Sequence, residues 1–68
     1  MTALRTDPNM AAPDDFYASL IAMHDGLTDA QSQMVNARLI LLLANHVGDR
    51  AVLHEAMKRA RDGVVNDG

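Results

Sequence analysis

The stretch Asn36-Ala37-Arg38-Leu39-Ile40-Leu41-Leu42-Leu43-Ala44-Asn45-His46-Val47-Gly48 decides the fold. Its strictly apolar centre, Leu39 to Ala44, is far shorter than the roughly 18–20 residues a membrane-spanning helix needs. Helix signals bracket it on both sides. Upstream, Thr28-Asp29-Ala30-Gln31 fits the reciprocal capping pattern in which a threonine and a glutamine each satisfy the other's backbone N–H. Downstream, Gly48 supplies the left-handed residue that commonly ends a helix. One helix is therefore expected from the Thr28 cap to Val47.

On a wheel of about 100° per residue, Gln31, Arg38 and Asn45 fall together as the one solvated stripe. Leu42, Val35, Leu39 and Leu43 occupy the neighbouring arc, and Asn36, Ile40, Ala44, Ala37, Leu41 and Met34 continue the circle. The apolar arc spans about 260°, broken by Asn36 and Gln33, whereas a surface helix needs a stripe only a little wider than about 100°. Two short neighbours cannot easily cover that arc. Each uncovered leucine forgoes about 1.5–3 kcal/mol of burial. Leu39, Leu41, Leu42 and Leu43 are thus the candidate interaction residues, for a second copy or another protein.

Outward from this helix the pattern is simpler. Asp49 caps a third helix whose apolar face is Val52, Leu53, Ala56, Met57 and Ala60. Lys58, Arg59 and Arg61 complement the dipole of its last turns, and Gly63 is its expected stop. A first helix is expected from Pro13, a residue well suited to the first helical position. Asp14 and Asp15 then face the positive end of the dipole. Phe16, Leu20, Met23 and Leu27 follow at helical spacing, and Gly26 is the expected end. The fold class is all-α, a small bundle of two to three helices in which a helical hairpin carries a third helix. Residues 1–11 read as a flexible arm, 12–63 as the helical domain and 64–68 as a flexible tail.

Composition agrees. Of 68 residues 49 % are apolar, yet Phe16 and Tyr17 are the only aromatics, so the side chains available for packing are aliphatic and favour helices. There is no cysteine, which removes disulfides and thiolate metal sites as staples for a chain this small. Its absence fits a reducing cytoplasm, the expected location. The net charge of −3 argues against broad nucleic-acid binding. It is unevenly spread: the first 34 residues carry one base and five acids, the rest five bases and four acids. No basic region followed by an apolar stretch marks a secretory signal.

Catalytic chemistry finds no foothold. His24, His46 and His54 form no pair at ligand spacing on one helix face, and a zinc site wants three or four protein ligands. Ser19 and Ser32 are the only serines, and Ser19 diverges from His24 by about 140° on the helix. Asp14, Asp15, Asp29 and Asp49 all sit at helix starts, where capping and the dipole account for them. No catalytic residue, metal or cofactor is expected. The rival reading is a nucleic-acid-binding helix-turn-helix, from Ala44-x-x-x-Gly48 and the bases Arg50, Lys58, Arg59 and Arg61. His54 stands where that motif wants a buried aliphatic residue, and the bases cluster at the far end of the would-be recognition helix.

Asn36-Ala37-Arg38 joined through the leucines to Asn45-His46-Val47-Gly48-Asp49 resembles the centre of a family of short proteobacterial proteins of unknown function. The resemblance extends through Pro8-Asn9, Ala12-Pro13-Asp14 and Phe16-Tyr17, and forward through Val52-Leu53 and Ala56. It implies no activity and transfers no catalytic residue. Because genes of this family can lie near oxidoreductase genes, the resemblance implies at most an accessory subunit. It also directs attention to Asn36, Arg38, Asn45 and His46, polar residues that packing alone does not demand. Asn45 and His46 are expected to tie down the end of the central helix, whose last carbonyls lack partners. The expected function is a small structural or protein-interaction module, a homo-oligomer or accessory subunit.

Overall fold

A computed structural model describes residues 3–66. The first two residues of the expected arm and the last two of the expected tail lie outside them. The chain is all-α: α1 spans Pro13–Ala22, α2 Asp29–Val47 and α3 Arg50–Val65. Residues 3–12 belong to no helix.

The two cap signals around α2 are realised atom by atom. The Gln31 N–H donates to Thr28 Oγ1 at 3.1 Å, and the Thr28 N–H donates to Gln31 Oε1 at 3.0 Å. At the other end Gly48 takes φ +70°, and its N–H donates to the Ala44 carbonyl at 2.9 Å. The next residue, Asp49, accepts from the Val52 N–H at 3.2 Å and so starts α3. A two-residue connection thus ends one helix and caps the next.

Two helix ends differ from their sequence signals. The α-helical geometry of α1 stops at Ala22, before Gly26. The chain then tightens: the His24 N–H donates to the Ile21 carbonyl and the Asp25 N–H to the Ala22 carbonyl, at 3.0 and 3.1 Å. Such three-residue bonds commonly close a last turn, and Gly26 at φ +76° then turns the chain. In α3 the helix runs through Gly63 to Val65, with the Asn66 N–H donating to Asp62 at 3.0 Å. A glycine ends a helix only by going left-handed. Gly63 stays helical, next to the Lys58–Asp62 ion pair at 2.7 Å that ties this turn together. The start of α1 has no side-chain cap; its N-cap is Ala12, left-handed at φ 51°.

The bundle is open. No residue among those described is fully buried, and no two helices lie in close contact along their lengths. The radius of gyration is 13.7 Å, against about 11 Å for a compact domain of this length. Apart from Leu4, Asp49 and Asp62, the half-buried positions among the described residues fall into two groups. Leu20, Met23, His24 and Leu27, in α1 and its turn, and Ser32, Val35 and Leu39, in the first half of α2, form one run of half-buried positions, the α1 seam. Ala44, Val52, Leu53 and Ala56 mark the inside of the corner between α2 and α3. Among the described residues of the arm, Leu4 alone is half-buried.

Candidate interaction surface

The corner between α2 and α3 holds an apolar groove of about 530 Å³. Ile40, Leu41, Leu43, Ala44 and Val47 line it from α2. Leu53, Ala56, Met57 and Ala60 line it from α3. The alanines make a low floor, and the larger side chains stand as walls. Those walls face solvent: Leu41 is 70 % exposed, Met57 58 % and Leu43 51 %.

The wheel explains why this surface is left over. Ser32, Val35 and Leu39 share a narrow sector of α2, and that sector is the α1 seam. The groove residues occupy the rest of the apolar arc, on the far side of Leu43. A single chain therefore uses one part of the arc for its own packing and leaves the larger part open.

The four leucines singled out in the sequence separate accordingly. Leu39 is half-buried at the seam. Leu41 and Leu43 are exposed groove walls. Leu42 is 70 % exposed and lies outside the groove. It lines a separate shallow depression of about 310 Å³ with Arg38, Leu41 and Asn45. This brings two of the candidate polar residues together, while Asn36 and His46 remain exposed elsewhere on α2. Among the described residues, neither Asn45 nor His46 bonds the helix end through its side chain; Gly48 and Asp49 close the turn instead. The α3 wall was legible only in part. Val52, Leu53, Ala56, Met57 and Ala60 read as the apolar face of the third helix, and nothing in their spacing shows that it borders a groove.

Charges frame the groove unevenly. Lys58 pairs with Asp62 at 2.7 Å and Arg59 with Glu55 at 3.8 Å, both within α3. Arg50 and Arg61 have no ion-pair partner among the described residues. They lie within about 20° of one another on the flank beside Met57. In α1, Asp14 and Asp15 stand without any base. Among the described residues no three His, Asp or Glu side chains gather as a metal site, and no helix is long and apolar enough to cross a membrane.

A family described as protein of unknown function (DUF2783) matches residues 4–62. The chain belongs to that family. The match takes in all of α1 and α2 and the residues that line the groove. No curated protein and no solved structure matches the chain.

Proposed function

We propose that this DUF2783 protein is a small non-catalytic interaction module, a subunit whose α2–α3 groove is covered by protein. The observation that carries the reading is the exposed apolar groove in a chain with no fully buried side chain among the described residues. Below roughly 70–80 residues a single core seldom supplies more than about 3–5 kcal/mol. Here five large side chains, Ile40, Leu41, Leu43, Val47 and Met57, are about half exposed or more. Covering them returns burial energy that the lone chain forgoes. The covering chain is a second copy or a larger protein that this one serves as an accessory subunit. An oxidoreductase is the candidate that the family resemblance brings. The helix-turn-helix reading is weaker, because Lys58 and Arg59 already hold carboxylates on their own helix and the net charge is −3.

The test is the native mass and the unfolding of the purified protein. The reading expects either an assembly larger than 7.4 kDa or, in isolation, a loosely packed chain that binds hydrophobic dye and melts without cooperativity. A monomer that melts cooperatively and binds no dye contradicts it.

A further inference from the structure

The groove has one wall and flank that α1 fits. α1 carries Phe16, Tyr17 and Ile21 exposed, Tyr17 to 63 %. Asp14 borders that apolar strip, with Asp15 beside it in the first turn. The groove is apolar inside, and Arg50 and Arg61 fall on the α3 flank beside its Met57 wall, so an apolar, anionic helix complements it.

We infer that the occupant is α1 of a second copy. Two chains lie with their α2 helices antiparallel across a two-fold axis, and α1 of each covers the α2–α3 groove of the other. This rests on the reading that protein covers the groove, and it names that protein.

The placement follows from the order of elements. α1 leads into the start of α2, whereas the groove lies along the second half of α2, from Ile40 to Val47. The 19 residues of α2 make a rod of about 28 Å. Only an antiparallel partner sets the start of one α2 beside the end of the other, which delivers α1 to the foreign groove. A two-fold axis then repeats the contact, as closed dimers require. Stacking groove on groove instead would bring Arg50 and Arg61 of both copies together, a like-charge contact that such interfaces avoid.

The area is sufficient. The chain exposes 6137 Å², whereas a compact monomer of this mass exposes about 4200 Å². The extended residues before α1 hold part of the excess. A stable interface needs only about 800 Å² from each partner, which the exposed faces of α1, α2 and α3 can supply.

Charge reversal tests the pairing on the full chain. One variant carries Asp14→Lys and Asp15→Lys, the other Arg50→Glu and Arg61→Glu. Sedimentation equilibrium from micromolar to millimolar concentration gives the mass of each. The parent is expected at twice 7.4 kDa. Each variant alone should dimerise at least about tenfold more weakly. An equimolar mixture should recover the parent's affinity, because both contacts of the mixed dimer are again attractive. Two further variants guard against a folding defect at the α1 start. Tyr17→Glu should weaken association, while Leu42→Glu, outside the groove, should leave it unchanged.

A parent dimer whose mixture stays monomeric overturns the pairing of α1 with the groove. So does a parent dimer that none of these variants weakens. A loosely packed parent monomer overturns the second copy as occupant and leaves a different protein as the cover. A cooperatively folded parent monomer overturns this inference together with the proposed function.

Discussion

Gly48 and Gly63 both follow helical segments, yet they do opposite things. Gly48 needs its left-handed φ of +70° to close α2, where a Cβ costs roughly 1–2 kcal/mol. Gly63 is helical, with nothing within 4 Å of a built Cβ, so alanine there gains about 0.5–1 kcal/mol. Gly48→Ala is therefore expected to lower the melting midpoint and Gly63→Ala to raise it, by about 4–8 °C per kcal/mol. Thermal melts followed by circular dichroism check both signs, and a rise on Gly48→Ala contradicts the cap assignment. At this scale the sequence was most readable where a signal had two parts. Thr28 with Gln31, and Gly48 with Asp49, each combine a stop or cap with its partner, and both sit where they were expected. Gly26 and Gly63 are single signals, and a single glycine leaves the conformation to its surroundings.

α2 shows what a helix wheel can and cannot say. The excess apolar arc is plain from residues 34–47, but its division is not, because the wheel carries no information about where neighbouring axes lie. Leu39 and Leu42 fall on adjacent parts of the wheel, and the structure separates them: Leu39 is half-buried at the α1 seam and Leu42 is 70 % exposed. Leu39→Lys is expected to cost about 2 kcal/mol or more, since it forfeits apolar burial and brings a charge to the seam. Leu42→Lys should stay within about 0.5 kcal/mol of the parent. Equal loss in urea titrations would show that the seam is misplaced. The arm permits a similar test. Leu4 alone among residues 3–9 is half-buried, and the Arg5–Asp7 pair at 3.9 Å is exposed on both sides. A chain beginning at Met10 should keep its helicity and lose about 1 kcal/mol or less. Loss of cooperative melting would show that the arm covers the helices.

For the whole molecule, the dimensions and surface area state the same fact. Extents of 41 × 29 × 25 Å and 6137 Å² of surface exceed those of a compact domain of 68 residues. On the proposed function, the second half of α2, together with α3, depends on a covering chain. Amide hydrogen exchange measured across a dilution series tests it most directly. Protection follows the free energy of local opening, and amides in helices with few buried contacts open easily. Amides from Ile40 to Ala60 are expected to be protected in concentrated solution and to lose that protection as the assembly dissociates. If a different protein provides the cover, they exchange fast at every concentration. Strong, concentration-independent protection of these amides in a protein of monomer mass would contradict the account.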